Sequence, residues 1–229
     1  MLDLLVVMNP RRIPQCMAAI EQLPIDKLWL RDMSEAQIAD WWPRIMDAAD
    51  GYQRLIMVGD DSCPRWHALD TVLGLHEHQP DSAITGYSNL SAVDYRVNLT
   101  KSPLRGDPSP DAYDLYTLQD IQEHPHMLVR TWLTGLTLLC MDTGMWERFP
   151  FDVYGRDAGG FASDYHLSVR LDQAGLEMWA ARDAFVWHVK ERWNEGDQAP
   201  EKQLLVGKND PALVLSREGR ADSFVSLDF

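Results

Sequence analysis

The sequence is poor in cysteine: 229 residues hold three, Cys16, Cys63 and Cys140. They are scattered, odd in number and form no CxxC pair, which excludes a disulfide framework and points to a reducing compartment. Basic residues are also scarce, since 21 Lys and Arg against 35 Asp and Glu leave a net charge of −14. Such a surface repels nucleic-acid phosphates and anionic membranes at long range. Arg11, Arg12, Arg54 and Lys190 are still available for a local basic pocket. Long hydrophobic runs are missing too. Leu2–Met8 is too short for a leader or a span and has Arg11 and Arg12 after it rather than before it, and Leu136–Met141 falls far below spanning length. The expectation is a cytoplasmic protein without a membrane partner. Finally, no GxGxxG follows any apolar run, which excludes a Rossmann dehydrogenase.

Apolar runs alternate with amphipathic ones through the first half. Leu2–Met8 reads as a buried strand, ended by Asn9-Pro10. Ile13–Gln22 reads as a helix, Lys27–Leu30 as a strand, and Glu35–Ala49 as a helix with Ser34 and Gln37 as a capping box. Leu55–Val58 is a third strand, Pro64–His78 a third helix that buries Trp66, Leu69 and Val72, and Ala83–Tyr87 a fourth strand. Strand–helix repetition implies right-handed crossovers and a parallel sheet. Ser91–His126 is polar, with four prolines between Pro103 and Pro125, and reads as irregular connections with at most one short strand. Met127–Met141 reads as one strand or two, Asp164–Ala174 as a helix capped by Gly175, and Leu176–Ala180 and Ala184–Trp187 as short strands. The tail after Arg192 gives no pattern.

Four places carry residues suited to chemistry. Asp60 and Asp61 follow the third strand, where open α/β sheets bind ligands, and hard oxygen ligands there suit Mg²⁺ or Mn²⁺ with a phosphate. Acids placed there to complement a helix dipole are an equally good reading. His188 ends an apolar strand and is a candidate metal ligand, with Lys190 two residues on for a phosphate. A satisfied core histidine is the simpler alternative. Asp164 heads a helix and is a candidate general base, a role compatible with an N-cap. Asp32 lies just past the second strand, where it serves either a base N–H or the turn itself.

In this order the features resemble the GT-A glycosyltransferases, in particular the inverting group called family 2. Asp32 and Ser34 match an Asp-Asp-Gly-Ser-like turn, and Gly59-Asp60-Asp61-Ser62-Cys63-Pro64 matches an acidic triplet ahead of a proline. Thr134-Gly135, Gly159-Gly160-Phe161 and Ser163-Asp164 match later motifs, and Arg182-Asp183-Ala184-Phe185-Val186-Trp187-His188 matches a Pro-Asp-Ala-x-Val-x-His ending. Glycine stands at position 59 where the family has an acid, and Ser163 and His166 replace two further acids. The resemblance implies a single-domain α/β fold of the GT-A (Rossmann-like) kind, a mostly parallel mixed sheet flanked by helices. It also implies a domain at 1–190 (a nucleotide-binding half at 1–90, a variable insertion at 91–130, an acceptor half at 131–190) and an extension at 191–229. Asp61 and His188 would hold Mn²⁺ or Mg²⁺ on the diphosphate of a nucleoside-diphosphate sugar, in the first instance a UDP-sugar. Asp60 and Lys190 would contact the donor, Asp32 its base, and Asp164 would be the catalytic base.

The function expected is metal-dependent, inverting transfer of a sugar to an unidentified hydroxyl acceptor. Trp132 and Trp193 are candidate sugar-stacking surfaces. A phage-type modified DNA base is a conceivable acceptor, opposed by the acidic charge. The principal rival is a catalytically silent nucleotide- or glycan-binding module on the same fold. A sugar-phosphate nucleotidyltransferase ranks low, because Asn9-Pro10-Arg11-Arg12 after the first strand lacks the glycines of a phosphate loop.

Overall fold

The computed structural model describes residues 2–8, 13–30, 38–59, 61–90, 95–104, 113–151 and 163–189, together with the backbone of 190–192, 201–205 and 224–226. Strands β1 (Asp3–Met8), β2 (Asp26–Leu30) and β3 (Arg54–Gly59) are linked by helices α1 (Pro14–Glu21) and α2 (Ile38–Ala48). A two-residue strand β4 (Ser62–Cys63), helix α3 (Trp66–His78) and strand β5 (Ala83–Tyr87) follow. Next come β6 (Arg96–Thr100), β7 (Leu115–Thr117), α4 (Leu118–Gln122), β8 (Leu128–Thr131), β9 (Thr137–Asp142) and α5 (Thr143–Arg148). Helix α6 (Ser163–Gln173), β10 (Met178–Phe185), β11 (Trp187–Arg192), β12 (Glu201–Leu205) and β13 (Phe224–Ser226) complete the described elements.

The central sheet has seven strands in the order β2-β1-β3-β9-β5-β10-β8. β2, β1, β3, β5 and β10 run one way, and β9 and β8 run against them. The fold is therefore mixed α/β and Rossmann-like, as expected, with an antiparallel strand set into its middle. A second sheet, β13-β12-β11-β4, stands over the end of β3.

Alternation along the central strands explains why their sequences read as unbroken apolar runs. Leu4, Val6 and Met8 face one layer with Ile38, Trp42 and Ile45 of α2 and Leu167 and Leu171 of α6. Leu5 and Val7 face the opposite layer with Ile20, Leu69 and Val72 of α1 and α3. Both faces are covered, so the interior positions of β1 and β3 gain by being apolar. Trp146 of α5 is fully buried and donates its indole N–H to the Leu55 carbonyl at 2.9 Å, which ties α5 to β3. Burial of a side chain this size contributes about 2–3 kcal/mol, because the indole nitrogen also keeps a hydrogen bond. Gly175 follows α6 with φ +73°, and the Leu176 N–H returns to the Leu171 carbonyl at 3.0 Å, the expected C-terminal cap.

Several local expectations are corrected. The third helix begins at Trp66 rather than at Pro64, because Ser62 and Cys63 pair with β11 instead. Trp66 is exposed, and the apolar face of α3 is made by Ala68, Leu69 and Val72. The polar stretch after Leu90 is more regular than its composition implies. β6 and β7 form a ladder, and Thr117 caps α4 in a capping box with Asp120. The two short strands expected at 176–187 are instead β10, which runs on to Phe185 through an irregularity between Ala180 and Phe185, and a separate β11. The Ser34 cap of the second helix lies outside the described residues.

Candidate functional site

β3 ends at Gly59, and β4 begins at Ser62. Between them the chain turns away from the sheet, which leaves the Asp61 side chain at the carboxyl end of a central strand, the position where sheets of this kind bind ligands. β11 pairs antiparallel with β4, with His188 opposite Ser62, and the Val189 N–H donates to the Asp61 carbonyl at 2.7 Å. These backbone bonds bring the two halves of the chain together at one point.

The result is a defined side-chain pair. His188 Nε2 lies 2.9 Å from Asp61 Oδ2, and His188 Nδ1 lies 3.0 Å from the Asn89 carbonyl oxygen. A carbonyl can only accept, so Nδ1 carries a proton and Nε2 is the atom presented to the carboxylate. Nε2 and Oδ2 therefore face each other across a space that needs a shared proton or a cation between them. Two ligand atoms each about 2.1 Å from one ion and at right angles to it stand about 3 Å apart. The pair fits neighbouring positions in a six-coordinate shell. The Asn89 carbonyl supplies the outer hydrogen bond that ligating imidazoles commonly have. Among the described residues no group of three or more His, Cys, Asp and Glu side chains is placed to hold a metal ion. Asp60 lies outside those residues.

Gly59 lies against the Asp61 carboxylate. A Cβ at position 59 would stand 3.0 Å from Asp61 Oδ1. Glycine leaves room for the Asp61 carboxylate to fold back toward β3, and an acid at 59 would compete for that space.

Asp164 is the second residue of α6 and half-buried. Its Oδ1 accepts the Tyr165 N–H at 2.8 Å. Burial pushes its carboxyl above the ordinary aspartate range, against the Tyr165 amide, its own amide and His166, which pull it back. A chain of hydrogen bonds links Asp164 to the end of β3. Ser168 Oγ donates to the Asp164 carbonyl at 2.7 Å and accepts the Thr134 N–H at 3.0 Å. Two residues on, the Leu136 carbonyl accepts the Gly59 N–H at 3.1 Å. Sequence reading marked Thr134-Gly135 but had no way to find Ser168 or Asn89, which act through a hydroxyl and a main-chain carbonyl.

Asp32, Asp60, Trp193 and the Lys190 side chain lie outside the described residues, as do Arg11, Arg12 and Gly159-Gly160-Phe161. Arg54 is no part of this site. It starts β3, at the opposite end of the strand, where it grips Asp3 at 2.6 and 2.8 Å and donates to the Leu73 carbonyl. Trp132 is half-buried, with the Arg130 guanidinium 5.3 Å from its ring centre. No helix among the described residues is long and apolar enough to cross a membrane.

No protein-family model matches the sequence. No curated protein matches it. Among solved structures, the crystal structure of A197 from STIV is similar, with a TM-score of 0.57 at 12% identity over 90% of this chain and 90% of that one. The fold is shared with that protein. CMP:2-keto-3-deoxy-manno-octonic acid synthetase complexed with CTP is also similar, at 12% identity over 77% of this chain and 70% of that one, with a TM-score of 0.36 that is too low to carry weight.

Proposed function

We propose that this chain is a metal-dependent, inverting glycosyltransferase that moves a sugar from a nucleoside-diphosphate sugar, in the first instance a UDP-sugar, to a hydroxyl acceptor. The observation that carries the proposal is the Asp61–His188 pair, 2.9 Å apart at the carboxyl end of β3 with its imidazole tautomer fixed by Asn89. A mixed oxygen and imidazole donor set suits Mn²⁺ better than Mg²⁺. A bound divalent ion supplies neutralising charge at the diphosphate as it departs. Asp61 and His188 would hold that ion.

In this reading Lys190 would add a cation at the same diphosphate, Asp60 would contact the donor, and Asp32 would accept from a base N–H. Asp164 takes the proton of the acceptor hydroxyl as its oxygen bonds the anomeric carbon from the face opposite the donor oxygen. The bond from that carbon to the diphosphate breaks, and its electron pair leaves with the nucleoside diphosphate. The carboxyl of Asp164, raised by burial, is a better proton acceptor than an exposed aspartate. Ser168 and Thr134 position the start of α6 relative to β3.

A thermal-shift screen of nucleotide sugars with and without Mn²⁺, followed by assay of donor hydrolysis, tests the proposal. The expected result is a Mn²⁺-dependent rise in melting temperature for one donor class and slow release of its sugar to water. Binding without any hydrolysis or transfer moves the chain to the silent-module reading. Absence of Mn²⁺-dependent binding by every donor removes the proposal.

A further inference from the structure

We infer that Cys16 and Cys63 form a redox modification site, a thiol pair arranged to close into a disulfide between α1 and β4. The two sulfurs are 47 residues apart in sequence and 2.8 Å apart in space. A disulfide needs about 2.05 Å and side chains directed at one another from neighbouring backbones, so small side-chain rotations suffice here. Both residues belong to a small apolar cluster with Ile13 and Val189, bounded by Ala19 and Trp187 and separate from the two large layers of the core. Cys16 is the third residue of α1 and has no exposure. Cys63 retains slight exposure, at 5%. Cys140 is the internal contrast. It sits in the middle of β9, packed in the layer of Ile56 and Ile84 and not in this cluster, and burial pushes its thiol strongly up.

The location gives the bond a consequence. Cys63 lies two residues past Asp61 and directly across the β4–β11 ladder from Trp187, beside His188. Closing the bond would anchor α1 to the strand that carries the turn of Asp61. The reaction balances with a peroxide as oxidant. One thiolate attacks a peroxide oxygen, the O–O bond breaks, and a sulfenic acid forms with release of one water. The second sulfur displaces the hydroxyl, the S–S bond forms, and a second water leaves. The inference does not depend on the reaction proposed above.

The test uses the full chain, native and reduced, exposed to hydrogen peroxide and then unfolded in excess N-ethylmaleimide for intact-mass analysis and peptide mapping. The expected product has lost two hydrogens, takes one adduct instead of three, carries that adduct on Cys140 and yields a peptide cross-linked through Cys16 and Cys63. Dithiothreitol restores all three adducts. Three adducts after peroxide, a cross-link that includes Cys140 or joins two chains, or gain of oxygen at Cys16 or Cys63 in place of the cross-link would each overturn the inference.

Discussion

Asp61 and His188, 127 positions apart in sequence, meet at 2.9 Å because β11 pairs with β4 and aligns the imidazole with the carboxylate. The contact is made from Nε2, since Nδ1 is committed to Asn89 at 3.0 Å. If the pair holds a divalent ion, Asp61→Ala and His188→Ala should each weaken Mn²⁺-dependent donor binding by at least about 10- to 100-fold, the range seen even for groups one shell further out. Calorimetry with and without Mn²⁺ measures this, with circular dichroism to show that the fold is kept. Unchanged Mn²⁺ dependence in both variants would remove the metal assignment.

Asp164 is assigned a proton rather than a ligand. Asp164→Asn keeps the shape and the hydrogen bond from Tyr165 but removes the base. Transfer should fall by roughly 10²- to 10⁴-fold, while donor affinity stays within a factor of two or so. Wild-type transfer by Asp164→Asn would exclude Asp164 as the base.

Gly86 sits in the middle of the sheet between β9 and β10. A Cβ there would stand 2.9 Å from the Ala184 carbonyl oxygen and 3.0 Å from that of Thr137. Both obstacles are backbone, so neither can swing aside. Gly86→Ala should cost about 1–3 kcal/mol in urea unfolding. It should also weaken donor binding, because β5 leads directly to Asn89. A fully stable Gly86→Ala would mean that the strands have slack here.

His76 gives the chain a pH signature. It is buried, with Nε2 lacking a hydrogen-bond partner among the described residues. Burial, with Arg54 as a second cause and Asp3 opposing, lowers its pKa from 6.5 to about 4. Between those values the unfolded chain binds a proton that the folded chain refuses, so stability falls as pH drops from about 6.5 toward 4 and this loss is complete below that. The effect is on the order of 3 kcal/mol. His76→Gln should remove this part of the slope, so its stability gap to the wild type narrows from pH 7 to pH 4.5. Parallel urea curves at the two pH values would contradict the prediction.

The parts of the fold that sequence made readable are those where one residue type serves one purpose. β1 and β3 are apolar at consecutive positions because both faces of the sheet are covered, and Asp61 stands out because it ends such a run. The antiparallel insertion of β9 between β3 and β5 left no trace, since its interior is as apolar as a parallel strand. Arg54 misled for a definite reason: a basic residue beside a candidate phosphate site attracts that role, yet folding directs it to Asp3 at the far end of the strand. In Asn89 it is the main-chain carbonyl that acts, so the identity of the side chain carries no signal. The cysteines looked unrelated because distance in sequence says little about distance across a parallel crossover.

The bond from the Val189 amide to the Asp61 carbonyl has a consequence for biosynthesis. While the ribosome has made only the first hundred or so residues, the free edge of β3 has no neighbour and the acid beyond it has no imidazole. The neighbour comes with β9 and the imidazole only later, with β11. Nascent chains must therefore pass through a sticky interval with an open strand edge, and ligand recognition at Asp61 and His188 cannot start before β11 has been made.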